Sequence, residues 1–318
     1  MDKNTFNGEA VPVYVNHVQI LKAAHTLVVE TNKTQKPPSM QESMHMMMNP
    51  RKAEEYAQKQ QTLMSTVMLG MEKIKRGVQN SATVSDDTKD SFAAYFLSQQ
   101  HSIATQGKLM QIQHDPTAQG EMMMVSMEMQ EAQQTIIEKK RELYQALYGF
   151  HEDDTLYGPS LPEDMSFEDF ERAEALIKYG YDSDDILSAL IPALQTGDHG
   201  AIDELLDKVD ETQNELNALD EKVATSTSME ATEQAVAAHV VQSMKALYQT
   251  IGEAMSGLAS NNTEAMNAMV DMPKLVENIQ DAQTHYYSVL DNHYTSKTAQ
   301  PSNDNSNNKK GPKSNRQP

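Results

Sequence analysis

An all-α fold is predicted for this chain: long amphipathic helices arranged as antiparallel hairpins or bundles, followed by a disordered C-terminal tail. Three observations predict it. Only 13 glycines and 12 prolines punctuate 318 residues, and helix-favouring Ala, Glu, Gln, Met, Leu and Lys are plentiful. Apolar residues recur at three- and four-residue steps, with almost no strand-like alternation.

Tyr14, Val18, Leu21, His25 and Val28 mark one face of a first helix, which ends before Lys36-Pro37-Pro38. A methionine-rich stretch, Met40 to Met48, is closed by Asn49-Pro50, and beyond it Leu63, Val67, Met71, Ile74 and Val78 make a second stripe. Asn80 to Asp87 reads as a loop, with Ser85 or Asp86 placed to cap a third helix. That helix carries Phe92, Phe96, Ile103 and Met110 and ends near His114-Asp115-Pro116. In the next segment Met122, Met129, Ile136 and Leu143 repeat every seven residues, with Val125, Ala132 and Ala146 beside them. This is the pattern of a helix packed lengthwise on another. Lys139 interrupts the second row, so an antiparallel hairpin inside a bundle is expected rather than an independent coiled coil.

Gly149 to Asp164, with the breakers Gly158-Pro159 and Leu161-Pro162, is the expected boundary. It divides the chain into a methionine-rich helical region, residues 1–150, and an acidic helical region, residues 151–294. The second region opens with two short helices, one starting at Ser166 and one from Asp184 to Leu194. A second seam follows, in which Ile202, Val209, Leu216 and Val223 stand seven apart with Leu205, Thr212 and Leu219 as companions. Val236, Val240, Met244, Leu247, Ile251 and Leu258 form the next helix. Val276, Ile279, Tyr286 and Leu290 form the last, with Pro273 expected in its first turn. Residues 295–318 hold no large apolar side chain and are rich in Asn, Ser, Lys and Pro, so they are read as a disordered basic tail. No repeat of fixed period runs along the chain.

The formal net charge is −20, and between Glu152 and Glu221 there are 21 acids against Arg172, Lys178 and Lys208. Such a block repels phosphate backbones, so no double-stranded nucleic acid partner is expected. The lack of cysteine excludes disulfides, thiolate zinc sites, iron–sulfur clusters and cysteine nucleophiles. No stretch approaches the ~18 apolar residues of a membrane span, and the polar start from Met1 to Gly8 lacks a signal-peptide core. A soluble, cytoplasmic protein is therefore expected.

No glycine-rich phosphate loop, His-Glu-x-x-His, Gly-x-Ser-x-Gly or EF-hand loop is present, so neither enzyme activity nor a cofactor is expected. Ten of the 22 methionines occupy two short windows, Met40 to Met48 around His45 and Met122 to Met129. Thioethers with imidazole suit a soft ion such as Cu(I), but no second histidine lies near, which favours core filling or an adaptable binding surface. A di-iron bundle needs two Glu-x-x-His pairs, and only Glu42 to His45 fits.

The expected function is that of a non-enzymatic helical interaction protein, an assembly scaffold or chaperone-like adaptor such as virion assembly requires, binding protein partners and forming a homo-oligomer. Its expected partner-binding residues are Met122, Met129, Ile136, Leu143, Ile202, Val209, Leu216 and Val223 on the seams, with Lys309, Lys310, Lys313 and Arg316 in the tail. Those basic residues are placed to reach an acidic surface, the nearest being the chain's own Glu152 to Glu221 block. Two alternatives are a secreted or translocated effector that binds a host protein, and a helical enzyme with an acid–base site at Asp281, His285 and His293.

Overall fold

The computed structural model describes residues 5–35, 40–112, 118–148, 172, 199–259 and 263–299. The expected interdomain loop, the two short acidic helices apart from Arg172, and the basic residues Lys309, Lys310, Lys313 and Arg316 lie outside the described residues. Among the described residues there are eight α-helices and one small hairpin, so the fold is all-α. The helices are α1 (His17–Gln35), α2 (Met40–Met48), α3 (Pro50–Gln79), α4 (Asp86–Ile112), α5 (Gln119–Tyr148), α6 (His199–Thr225), α7 (Ala231–Ala259) and α8 (Thr263–Ala299).

The hairpin pairs β1 (Thr5–Phe6) with β2 (Glu9–Ala10) in antiparallel register, Thr5 opposite Ala10 and Phe6 opposite Glu9. Asn7 and Gly8 between them both have positive φ, 51° and 81°, the backbone that an Asn-Gly pair adopts most readily in a two-residue turn. The hairpin leans on the C-terminal part of α3. Lys73 Nζ is 2.6 Å from Glu9 Oε2, and the Arg76 guanidinium lies 4.3 Å from the centre of the Phe6 ring. Gly77 is required here, because a Cβ would stand 2.6 Å from both the Pro12 carbonyl oxygen and the Tyr14 ring.

Three helix starts have a clear local cause. Asn16 Oδ1 accepts the Gln19 amide at 2.9 Å while Gln19 Oε1 accepts the Val15 amide at 2.8 Å, a reciprocal exchange that opens α1. Asn49 caps α3 ahead of Pro50, and Ser85 Oγ accepts the Thr88 amide at 3.2 Å to open α4. Tyr14 precedes α1 rather than belonging to it. The buried face of α1 is also wider than one stripe, with Val18, Ile20, Leu21, Ala23, Ala24 and Leu27 all inside. The cause is tertiary: α1 packs against α3, α4 and α8 at once.

Four pairs of neighbours set the helix directions in the N-terminal half. Met64 lies beside Gly107 and Lys75 Nζ 4.5 Å from the centre of the Phe96 ring, while Lys108 bridges to Glu128 at 2.9 Å and Thr88 Oγ1 donates to the Ala146 carbonyl at 3.4 Å, so α3, α4 and α5 run antiparallel in turn. Thr34 reaches Gln106, which places the end of α1 beside the end of α4. In the C-terminal half Asp220 accepts from Gln242 at 2.7 Å and Lys245 at 2.6 Å, which fixes α6 and α7 as an antiparallel hairpin. α8 then packs back along α7. The halves meet where α1 crosses α8: Asp291 takes Gln19 at 2.9 Å and Lys22 at 3.1 Å, and His25 faces Gln280 and Thr284. One continuous hydrophobic cluster runs from Val18 and Phe92 through Leu216 and Met244 to Leu290.

Two boundaries differ from the sequence reading. Pro273 stands inside α8 rather than in its first turn, because the helix already begins at Thr263 in an Ala- and Met-rich stretch of good helix formers. The same helix runs past Tyr294 to Ala299, extended by polar residues such as Thr295, whose hydroxyl donates to Asp291 at 3.3 Å.

Candidate partner-binding surface

The second predicted seam is packed within the chain. Ile202, Val209, Leu216 and Val223 are buried, and so are Leu205, Thr212 and Leu219. Their partners include Val240, Val241, Met244, Leu247 and Ile251 of α7, with Val209 Cγ1 seated over Gly252. The outer face of α6 is acidic, with Asp203, Glu204, Asp207, Asp210, Glu211 and Glu221 exposed.

On α5 the two predicted rows exchange roles over the first part of the helix, while towards its end Leu143 of the first row is buried and Ala146 of the second half-buried. Val125 and Ala132 are buried together with Leu143 and Tyr144, whereas Met122, Met129 and Ile136 are half-buried flanks. The reason lies on α4, which presents the small buried residues Ser98, Ser102 and Thr105. Small and β-branched side chains allow the two helices to approach closely, and long thioethers are pushed to the edge. α4 is enclosed on nearly all sides, with Gln99 and Gln106 buried as well as Phe92, Tyr95, Phe96 and Ile103. Two of its buried polar side chains are bonded locally, Gln99 Nε2 to the Tyr95 hydroxyl at 3.0 Å and Ser98 Oγ to the Tyr95 carbonyl at 2.7 Å.

Among the described residues, the large apolar side chains that the helices leave outside are mostly methionine. Met44 is 54% exposed, Met48 86%, Met123 70%, Met124 67% and Met127 56%. All five belong to one end of the N-terminal bundle, where α1 and α4 finish and α3 and α5 begin, with α2 linking α1 to α3. The other large exposed apolar residues, Val13, Val15, Leu69 and Leu97, are spread over the N-terminal segment, α3 and α4. Single exposed residues of that kind are normal on a protein surface, but five at one end are not.

The acid–base alternative does not assemble. Asp281 and His285 are exposed on α8, while His293 is turned inward, its Nδ1 3.6 Å from Glu230 Oε1 and its ring edge-on to Tyr294 at 5.7 Å. His25 is the more constrained histidine: its Nε2 lies 3.1 Å from the Gln280 carbonyl and 2.9 Å from Thr284 Oγ1, beside the Tyr287 ring. Burial, with Lys140 nearby, pushes its pKa down to about 4. Sequence reading also missed a fully buried ion pair. Arg172 Nε donates to Glu233 Oε1 at 2.8 Å and an Arg172 terminal nitrogen donates to the Ser228 carbonyl at 2.6 Å. Nothing in the pattern of a surface-type Glu in the first turn of α7 announces it.

Among the described residues no group of three or more His, Asp or Glu side chains is placed to hold a metal ion. Among them, too, no helix is long and apolar enough to cross a membrane. No family model, curated protein or solved structure matches this chain.

Proposed function

We propose that this chain is a non-enzymatic helical interaction protein, an assembly scaffold or chaperone-like adaptor, that engages protein partners and copies of itself through the methionine-rich end of its N-terminal bundle. The observation that supports this reading is the placement of Met44, Met48, Met123, Met124 and Met127 in solvent at that one end. The seam on α6, by contrast, is used up inside the chain. Methionine is unbranched and polarizable, so a surface of thioethers adapts to differently shaped apolar partners at low cost. The acidic outer face of α6 and the basic residues Lys309, Lys310, Lys313 and Arg316 form a second, electrostatic layer of the same proposal, weaker at high salt.

The test is cross-linking mass spectrometry and sedimentation on the wild type and on a variant with all five exposed methionines changed to Gln. Cross-links and self-association at this end should disappear in the variant while its far-UV circular dichroism stays that of the wild type. Unchanged cross-links and an unchanged sedimentation profile would refute the proposal.

A further inference from the structure

Sulfur chemistry in this chain belongs to methionine alone, since there are 22 Met and neither Cys nor Trp. A two-electron oxidant that meets the folded protein therefore finds thioethers as its softest targets, and attack needs an accessible sulfur. The fold sorts those thioethers into separate classes. Met71, Met244 and Met255 sit in the hydrophobic core at 0–2% exposure, whereas Met44, Met48, Met123, Met124 and Met127 stand more than half in water. Among the described residues the exposed class is not scattered. Met44 and Met48 are one turn apart on α2, Met123 and Met127 one turn apart on α5, and α2 and the first turns of α5 lie at the same end of the bundle.

Oxidation at these five positions would break no buried contact in the core. It would replace an apolar sulfur by a strongly polar, chiral S=O, which makes the exposed side chains of that end polar. We propose that the methionine-rich end is a reversible oxidation site: peroxide converts its exposed thioethers to sulfoxides selectively, leaves the helical fold in place and abolishes the apolar character of that end. The consequence for partners rests on the proposed interaction function; the selectivity does not. In each event a sulfur lone pair attacks one peroxide oxygen, an S–O bond forms and the O–O bond breaks. The sulfur is oxidised by two electrons, and the departing hydroxide takes up the proton released from the transferred oxygen, giving water. The reverse step uses a dithiol reductant through methionine sulfoxide reductases of both stereochemical classes, which return the thioether, release water and leave a disulfide on the reductant side.

The experiment treats the full-length protein with hydrogen peroxide and follows each methionine by peptide mass spectrometry, with circular dichroism and the fluorescence of the apolar-surface probe 8-anilinonaphthalene-1-sulfonate recorded in parallel. The five exposed methionines should react about tenfold or more faster than Met71, Met244 and Met255. Helicity should stay constant until the five are fully modified, while probe fluorescence falls and then recovers after treatment with both reductases and dithiothreitol. Equal rates at exposed and core positions, helicity lost in step with the five sulfoxides, or probe fluorescence unchanged by oxidation would each overturn the proposal. The five-methionine Gln variant separates the two readings. If it keeps its cross-links and self-association, the interaction proposal fails while site-selective oxidation stands or falls on the mass spectra. If it loses them but the oxidised wild type does not, the switch fails and the interaction proposal survives.

Discussion

Removing the guanidinium of Arg172 is the sharpest available perturbation of the C-terminal bundle. Its side chain is 4% exposed and that of Glu233 1% exposed, so Arg172→Met strands a carboxylate in the interior and leaves the Ser228 carbonyl without its 2.6 Å donor. Breaking a buried pair from one side costs about 3–5 kcal/mol, because the remaining charge keeps its desolvation penalty and loses its compensation. Glu233→Met should cost about as much, with the cation now stranded. Arg172→Met combined with Glu233→Met removes both charges, and what remains is chiefly the loss of the Arg172 donor to the Ser228 carbonyl, about 1–3 kcal/mol. The double variant should therefore be more stable than either single one, with a coupling energy of roughly 2 kcal/mol or more. Urea unfolding of the four proteins, followed by circular dichroism, measures all the terms of that cycle. If the single variants lose less than about 1 kcal/mol, or if the double variant is as unstable as the worse single one, then the pair is not a compensated buried charge and the reasoning is wrong.

Three further outcomes are expected. Gly77→Ala gains about 1 kcal/mol of helix propensity but drives a methyl into the Pro12 carbonyl and the Tyr14 ring, each 2.6 Å away. The N-terminal segment must lift, giving up the Ser81–Tyr14 and Thr83–Val15 hydrogen bonds, for a net loss of about 1–3 kcal/mol and faster amide exchange over residues 9–16. His25 takes up its proton only near pH 4 when folded but near its ordinary 6.5 when unfolded, so stability is unaffected above about 6.5, declines as pH falls towards 4 and levels off below. The decline attributable to His25 is at most about 1.4 kcal/mol per pH unit. It should vanish from a melting-temperature profile of His25→Gln, and an unchanged profile would rule the assignment out. Truncation after Ala299, which keeps all of α8, should leave the melting temperature within about 2 °C and alter only salt-sensitive binding to acidic surfaces; a large drop would mean that residues 300–318 pack.

The sequence made the helices legible wherever one periodic face meets one neighbour. α6 is the clearest case, since its seven-residue rows are the buried rows and its hairpin partner follows directly in the chain. α5 shows the limit: two adjacent rows both fit the periodicity, and the choice between them depended on Ser98, Ser102 and Thr105 of α4, small polar residues that no hydrophobic pattern registers. Pro273 misled because helix-favouring neighbours on both sides outweighed one missing amide donor. The Asn7-Gly8 hairpin carried its signal in the turn rather than in the strands, which at two residues each are too short to alternate. For the candidate surface, composition located the two methionine windows and, while the helix formed by Met40–Met48 was too short to show a stripe of its own, periodicity placed the second of them on a helix. It could not reveal that the ends of α1 and α4 bring those windows to one end of the bundle, because that is a property of helix directions set by contacts distant in sequence.

The crossing of α1 over α8 also has a kinetic side. Gln19 and Asp291 are 272 residues apart along the chain, whereas the α4–α5 and α6–α7 hairpins join neighbours across short turns. Local hairpins close quickly, and contacts of long sequence separation wait for the chain entropy between them to be overcome. During synthesis the first long helix therefore emerges with Val18, Leu21 and Leu27 able to find α3 and α4, while the side that will meet α8 stays wet until nearly the entire chain has been made. The last helix acts as a closing bolt. Slow refolding of a sample diluted from urea should accordingly show two phases, an early gain of helix and a later one, reported by Tyr287 beside His25, in which α1 and α8 lock.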